Sequence, residues 1–177
     1  MRSDFVSVLE ELDLMARLQA FQPFVIGTPP LGIAISSSDI DIACYAPDLD
    51  HFIASVTAKF GNLSGFKTKA ISAQGKPAAC AVFQSHGWQI ELFCQSVPTS
   101  QQWGVKHFLI ERRLLETEPR LKSVVKKLKQ DGMKTEPAFA FALGLEGDPY
   151  KALLALEIKT DAEISDLVSF KADAIKA

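Results

Sequence analysis

The patterns typical of β-strands all lie in the first 97 residues of this 177-residue chain. Short apolar stretches bounded by glycine, proline or aspartate predict strands over residues 24–26, 40–45, 67–72, 78–84 and 88–93. From Pro98 onward, apolar residues such as Trp103, Ile110 and Leu114 recur at the helical period. This order predicts an α+β protein, with a sheet-containing domain over residues 1–97. The helical region over residues 98–177 is predicted to pack on that domain or to join it in one compact domain.

The same patterns predict where individual elements begin and end. Apolar residues at helical spacing predict one helix over residues 3–20 and another from Asp48 or Asp50 to about Phe60. The glycines, prolines and serines of residues 27–38 predict a loop. Further predicted boundaries are hairpin turns at Gly75-Lys76 and His86-Gly87 and helix starts at Thr135, Asp148 and Asp161.

The composition excludes several classes of protein. Apolar residues make up 47% and charged residues 23% of the chain, which is typical of a soluble globular protein. The 19 basic and 21 acidic residues give a net charge of −2, so we expect no general nucleic-acid binding. No apolar run reaches the length of about 18 residues that a membrane span needs. The early acidic residues Glu10, Glu11 and Asp13 do not fit a secretory signal.

The cysteines indicate the cellular compartment. Cys44, Cys80 and Cys94 are an odd set without the CxxC spacing of a metal or redox site. We interpret them as buried free thiols, which persist in a reducing compartment. The sequence therefore predicts a cytoplasmic protein.

The most specific chemical feature is Asp39-Ile40-Asp41 at the start of a predicted strand. Because side chains alternate along a strand, Asp39 and Asp41 are expected on one face. Two carboxylates a few ångströms apart repel each other, and a hard divalent cation such as Mg²⁺ relieves that repulsion. Glu91, in another predicted strand, joins them if the two strands are neighbours. A helix cap followed by a solvated strand face is the alternative interpretation of the aspartate pair.

A glycine-containing loop precedes the aspartates. Gly27-Thr28 ends a predicted strand, and ten residues separate Thr28 from Asp39. A glycine lets a phosphate approach the backbone N–H groups, and the threonine hydroxyl adds a donor. This arrangement favours a phosphate-handling site over an isolated carboxylate pair.

These motifs resemble the nucleotidyltransferase superfamily, which has the DNA polymerase β-like fold. Its pattern is a hydrophobic residue, Gly, then Gly or Ser, a gap of about ten residues, Asp-x-Asp or Asp-x-Glu, and a distant third acid. A closer resemblance, to a bacterial family known as domain of unknown function 4269, is carried by residues 25–44 (VIGTPPLGIAISSSDIDIAC), 106–115 (KHFLIERRLL) and 134–153 (KTEPAFAFALGLEGDPYKAL). The resemblance implies a nucleotidyltransferase-like mixed sheet with flanking helices and a C-terminal helical bundle.

The resemblance also implies a role for each matching residue. Asp39 and Asp41 would bind two Mg²⁺ ions, with Mn²⁺ as the alternative metal. Glu91 would complete the metal site or act as a base toward an acceptor hydroxyl, and Gly27 and Thr28 would hold the nucleotide phosphates. The implied reaction is in-line attack on the α-phosphate of an NTP with pyrophosphate leaving. The implied partners are an NTP and a small-molecule or macromolecular acceptor.

Other interpretations of the carboxylates stay open. A nucleotide- or metal-binding regulatory module that has lost turnover is favoured by Pro29 and Pro30, which remove two N–H donors from the loop. A phosphatase nucleophile at Asp39 would need a strongly apolar preceding strand, whereas residues 36–38 are serines. A glycosyltransferase site is disfavoured in so short a chain. The acceptor, the preferred NTP and the oligomeric state are not predicted.

Four further residues are weaker candidates for a cleft beside the carboxylates: Ser38, His107, Glu111 and Arg112. His107 and Glu111 are four residues apart on a predicted helix and share a face. Because His107 lies on an apolar stripe, a partly buried histidine paired with Glu111 is the favoured interpretation. The many basic residues between 112 and 134 are interpreted as solvated helix faces, and Lys67 and Lys69 as weak candidates for phosphate contacts.

Overall fold

The computed structural model describes residues 2–174, and side chains up to residue 168. All the strands lie within residues 24–95, interspersed with helices, and the described elements after residue 95 are all helical. The strands are β1 (Phe24–Ile26), β2 (Ile40–Tyr45), β3 (Lys67–Ala73), β4 (Lys76–Ser85) and β5 (Trp88–Gln95). The helices are α1 (Phe5–Glu11), α2 (Leu14–Arg17), α3 (Thr28–Leu31), α4 (Leu49–Phe60), α5 (Trp103–Thr117), α6 (Leu121–Gln130), α7 (Thr135–Leu143), α8 (Pro149–Leu154) and α9 (Asp161–Ala174). The α+β class is therefore confirmed.

The chain divides into two compact units, which are described separately. The first comprises Met1–Pro29 and Ser38–Val105, and the second comprises Pro30–Ser37 and Lys106–Ala177. The predicted division into a domain over residues 1–97 and a helical region over residues 98–177 stays a prediction.

The first unit contains one mixed sheet with the strand order β1-β2-β5-β4-β3. β2 and β5 are parallel, and every other neighbouring pair is antiparallel. The parallel pair lies near the middle of the sheet, and the meander of β3, β4 and β5 extends from it to one edge. The predicted mixed sheet is therefore confirmed.

One face of this sheet forms the core of the first unit. Ile40, Ile42 and Leu92 point into it and are fully buried, as are Phe52 and Val56 of α4. Because strand side chains alternate, the residues between these positions, including both Asp41 and Glu91, lie on the opposite face.

Both hairpin turns of the meander contain two residues with positive φ. These are Gln74 and Gly75 in the first turn, at φ 51° and 72°, and His86 and Gly87 in the second, at φ 52° and 79°. Two successive positive φ angles match the twist of antiparallel strands. The second turn lies where it was predicted, whereas the first begins one residue earlier than Gly75-Lys76 because Lys76 already belongs to β4.

Two local predictions for the N-terminal part are wrong. The helix predicted over residues 3–20 is interrupted, because Asp13 adopts a left-handed conformation at φ 50° between α1 and α2. The predicted loop over residues 27–38 contains the helical turn α3. Proline tolerates the first turn of a helix, where no N–H donor is needed, so Pro29 and Pro30 fit α3.

The second unit is helical and has its own buried residues. Leu121 and Val125 of α6 and Phe139 and Leu143 of α7 are buried. Asp148 caps α8 as predicted, and its side chain accepts a hydrogen bond from Lys151 N. The predicted cap at Thr135 is wrong by one residue, because Lys134 occupies the cap position. None of the helices within residues 2–174 combines the length and apolar character that a membrane span requires.

The prediction that the three cysteines are buried free thiols is confirmed. Cys44, Cys80 and Cys94 are all free thiols, and all three are buried in the first unit. Burial raises the pKa of each thiol, and that of Cys94 reaches about 12.

Candidate functional site

The strand register places Asp41 directly beside Glu91. Asp41 of β2 is the register partner of Glu91 in the parallel strand β5, and neighbouring strands lie about 4.8 Å apart. Partners in a ladder project to the same face, so both carboxylates lie on the face opposite the core. Asp39 immediately precedes β2, two residues before Asp41.

All three carboxylates are half-buried. Their neighbours on the two strands, Ile40 and Ile90, are fully buried on the core face. The strands are thus anchored by one face while the other face presents the carboxylates to partial solvent. This arrangement holds charged groups at a fixed position without burying them completely, which would cost far more free energy.

The backbone conformation at residue 27 and the nearby carboxylate of Asp41 both favour glycine at this position. Gly27 has φ +81°, in the region that L side chains rarely adopt. A Cβ atom at this position would collide with Asp41 Oδ2 and lie 3.3 Å from Asp41 Cγ. The space that a side chain would fill at residue 27 is therefore occupied by the carboxylate of Asp41, a candidate metal ligand.

Thr28 and Ser38 connect the two ends of the loop before the aspartates. Thr28 Oγ1 donates a hydrogen bond to Ser38 Oγ over 3.0 Å, and Thr28 is only 7% exposed. Arg2 donates to the carbonyl oxygen of Ser38. Burial lowers the pKa of Arg2, and the negative charge of Asp39 opposes that shift. The start of the chain therefore carries a positive charge beside the first aspartate.

The sequence interpretation missed Cys80, which contacts the carboxylate face from β4. Its thiol donates a hydrogen bond to the Glu91 carboxylate. Burial, followed by the charge and the hydrogen bond of Glu91, raises the pKa of Cys80 to about 12, and Asp41 adds a smaller rise. The positive charge of Lys69 acts in the opposite direction. Only the register of three strands brings these groups together, so no local sequence signal could have found them.

His107 lies in the second unit and is 4% exposed. Its Nε2 lies 2.9 Å from the carbonyl oxygen of Tyr150, and its Nδ1 lies 4.0 Å from Glu136 Oε1. These contacts fit a buried histidine held between α7 and α8.

Glu111 and Arg112 also lie in the second unit and differ in their surroundings. Glu111 is 4% exposed, and its Oε1 has no hydrogen-bond partner among the described residues. Burial raises its pKa well above the ordinary value, Glu136 adds to the rise, and Lys129 opposes it. Arg112 is on the surface and forms an ion pair with Glu116 over 3.9 Å. A role for Ser38, His107, Glu111 or Arg112 in a cleft stays a prediction.

The carboxylates of the first unit fit Mg²⁺ in the chemistry of their donors. Mg²⁺ prefers oxygen ligands, and proteins commonly hold it with one or two carboxylates plus phosphate oxygens of a substrate and water. Within residues 2–174, no group of three or more His, Cys, Asp or Glu side chains is placed to hold an ion by itself. A metal held by Asp39, Asp41 and Glu91 would need oxygens of a phosphate ligand or water to complete its coordination.

Solved structures with a similar fold include nucleotidyltransferases such as the Cid1 poly(U) polymerase. One structure of Cid1, described for its RNA terminal uridylyl transferase activity, has a TM-score of 0.56 at 16% identity, covering 80% of this chain and 48% of Cid1. The Cid1 poly(U) polymerase with MgGTP has a TM-score of 0.55 at 15% identity, covering 79% and 47%. A cytoplasmic RNA terminal U-transferase has a TM-score of 0.50 at 16% identity, covering 81% and 42%. This chain spans less than half the length of these proteins, and the likeness establishes the nucleotidyltransferase fold.

The family assignment comes from the sequence. No curated protein matches the chain significantly. The profile of the family named domain of unknown function (DUF4269) matches residues 7–156, which include the glycine loop, all three carboxylates and the helices up to α8. The chain therefore belongs to the DUF4269 family, and its fold is that of the nucleotidyltransferases.

Proposed function

We propose that this protein transfers a nucleoside monophosphate from an NTP to a hydroxyl acceptor in a reaction that needs a divalent metal. The observation that carries this proposal is the register of Asp41 with Glu91, with Asp39 two residues before Asp41. These carboxylates lie on a half-exposed face of the sheet and do not contribute to the hydrophobic core. They are suited to holding cations against phosphate oxygens.

Each residue has a part in this proposal. Asp39 and Asp41 hold the metal, for which Mg²⁺ is the first candidate and Mn²⁺ the second. Glu91 either completes the ligand set or accepts the proton of the acceptor hydroxyl. Gly27 and Thr28 hold the nucleotide phosphates, and Gly27 also leaves the space in which the Asp41 carboxylate sits. The bound metal would supply charge stabilisation for the attacking and leaving oxygens of the transfer.

The solved neighbours support an NTP as the donor. Their structures include Cid1 with MgGTP, with the UTP analogue UMPNPP and with its short product ApU. We therefore propose an NTP as donor, with Mg²⁺ as the metal.

The test is nucleotide binding with matched variants. We expect the parent to bind ATP, GTP, CTP or UTP in the presence of Mg²⁺ when titrated in a calorimeter. Asp39→Asn and Asp41→Asn should each weaken this binding at least tenfold, because each loses a negative charge at the metal. Asp50→Asn, an exposed position in the first turn of α4, is the control and should bind as the parent does. If the two site variants melt at the parent's temperature and bind every NTP equally well, the assignment of the site is wrong.

A second candidate is a regulatory module of the same fold that binds nucleotide or metal without turnover. The observation in its favour is that the Thr28 hydroxyl donates to Ser38 and is almost buried, while Pro29 offers no N–H donor. A pyrophosphate-release assay across a titration of Mg²⁺ and Mn²⁺ separates the two candidates. The module predicts no release with any mixture of NTP and acceptor, although nucleotide binds.

A further inference from the structure

The carboxylate face of the sheet continues to its outer edge, where it carries two lysines. In β3, Lys67 is the register partner of Val82, and Val82 is the partner of Glu91. One row of side chains on this face thus runs from Asp41 through Glu91 and Val82 to Lys67. In the next row, Lys69 is the partner of Cys80.

Lys69 lies on this face because its register partner Cys80 shares the face of Val82 and Glu91. Lys69 and Glu91 therefore lie on the same face, in the two strands that flank β4. Cys80 is itself 1% exposed, so it lies beneath the surface that the charged groups form.

Both lysines are available to a ligand. Residues 67–70 of β3 are exposed, and within residues 2–168 neither ammonium group forms an ion pair with a carboxylate. Lysine on an edge strand also prevents pairing with other chains, but that purpose does not depend on which face the lysine occupies. Here both lysines share the face of Asp41 and Glu91, and the residue between them, Thr68, lies on the other face.

The order of the strands places the loop proposed to bind the NTP on one side of Asp41 and the proposed site of the acceptor molecule on the other. Gly27 follows β1, on one side of Asp41, whereas Glu91, Val82 and Lys67 follow one another on the other side. Glu91 and Lys67 are two strand spacings apart, about 10 Å between backbones, and the long lysine side chain spans part of that distance. An acceptor hydroxyl at Glu91 and an anionic group at Lys67 would then be separated by about the length of one nucleotide or one sugar phosphate.

We propose that Lys67 and Lys69 bind a phosphate group of the acceptor, so that the acceptor is a phosphorylated molecule that lies across β5 and β4. This inference rests on the proposed function, because it takes Glu91 as the acceptor end of the site. Lysine ammonium groups are common phosphate ligands in proteins and bind as point charges. The phosphate can belong to a small sugar phosphate or to the end of an oligonucleotide.

The experiment measures binding of two phosphate probes by calorimetry, with and without Mg²⁺ and a non-hydrolysable NTP. The probes are ribose 5-phosphate, compared with ribose, and the 5′-phosphorylated dinucleotide pUpU. We expect the parent to bind at least one probe with a Kd below 10 mM and to bind ribose more weakly than ribose 5-phosphate. Binding of ribose 5-phosphate indicates a small acceptor, and binding of pUpU alone indicates an oligonucleotide.

The variants locate the site. The double variant Lys67→Ala/Lys69→Ala should lose at least tenfold in affinity for the bound probe. Lys76→Ala is the matched control, because Lys76 has the same charge and lies on the same face but comes six residues before Val82 in β4. It should bind the probe within twofold of the parent. Equal losses in the double variant and in Lys76→Ala would overturn the proposal, as would a parent that binds neither probe under any condition.

The NTP titrations keep this result separate from the proposed function. The double variant should bind the NTP as the parent does, because the lysines lie on the acceptor side. A parent that binds NTP but neither probe contradicts the lysine site alone. A parent that binds a probe through the lysines, but binds no NTP, contradicts the proposed function and leaves the phosphate site standing.

Discussion

Substituting Gly27 by alanine tests whether the backbone is shaped around the Asp41 carboxylate. Two costs add in Gly27→Ala. The left-handed φ of +81° costs a non-glycine residue about 1–2 kcal/mol. The new methyl group also collides with Asp41 Oδ2, and forcing extra atoms into an occupied space costs a further 1–3 kcal/mol or so. We therefore expect a loss of about 2–5 kcal/mol in the free energy of unfolding.

Gly75→Ala separates the two costs. Gly75 has a similar φ of +72°, but no atom lies within 4 Å of a Cβ built there. Gly75→Ala should lose stability through backbone strain alone. Gly27→Ala should therefore be the less stable variant by about 1–3 kcal/mol. In a chain of this size each kcal/mol lowers Tm by about 2–4 °C, so the difference is measurable by calorimetry.

A double-mutant cycle with Asp41→Ala identifies the partner. Removing the Asp41 carboxylate removes the collision, so the extra cost of Gly27→Ala over Gly75→Ala should fall below about 0.5 kcal/mol in that background. Gly27→Ala should also weaken binding of NTP with Mg²⁺, because the carboxylate must move aside. Equal stability of Gly27→Ala and Gly75→Ala in the parent background would refute the reasoning.

Three further predictions concern buried groups. Gln102 is 2% exposed, and its Nε2 donates hydrogen bonds to two backbone carbonyls over 2.8 and 2.9 Å. Gln102→Leu should therefore lower the free energy of unfolding, measured in urea, by about 1–3 kcal/mol. A loss below about 0.5 kcal/mol would mean that these hydrogen bonds are not needed. The pKa of Glu111 is raised in the folded protein, so its favourable contribution is present at low pH and is lost as the pH rises above the ordinary carboxyl pKa of 4.5. Glu111→Gln should therefore gain stability relative to the parent between pH 5 and pH 8, and a difference independent of pH contradicts this. Because Glu91 raises the pKa of the Cys80 thiol, Glu91→Gln should speed alkylation of Cys80 at pH 9 relative to Cys94, as measured by mass spectrometry; an unchanged ratio counts against the contact.

The sequence predicted the elements of the sheet well because each has a strong local signal. Apolar alternation and flanking breakers mark all five strands, and the two residues His86-Gly87 mark a turn directly. Asp39 and Asp41 could be placed on one face for the same reason, since alternation along a strand is a local property.

Backbone conformation of single residues was harder to predict. Asp13 interrupts the N-terminal helix through a left-handed conformation that most residues avoid, and the apolar spacing around it still fits a helix. The pair Pro29-Pro30 favours a loop in the sequence, although prolines are acceptable in the first turn of a helix such as α3. Propensity alone does not decide such positions.

Contacts between strands that are distant in sequence could not be predicted. Cys80, Glu91 and Lys69 meet because β4 and β5 pair antiparallel and β3 continues the meander. Gly27 was predicted to admit a phosphate, but its tight contact with Asp41 depends on the pairing of β1 with β2. The cytoplasmic location and the bacterial source stay predictions.

A structure of the protein with Mg²⁺ and a non-hydrolysable NTP tests the central claim most directly. The account predicts a metal ion about 2.0–2.1 Å from carboxylate oxygens of Asp39 and Asp41, with nucleotide phosphate oxygens completing its ligands. Glu91 should lie on the side of the metal away from Gly27. A nucleotide bound elsewhere on the protein, or a metal held by phosphate oxygens without either aspartate, would contradict the account.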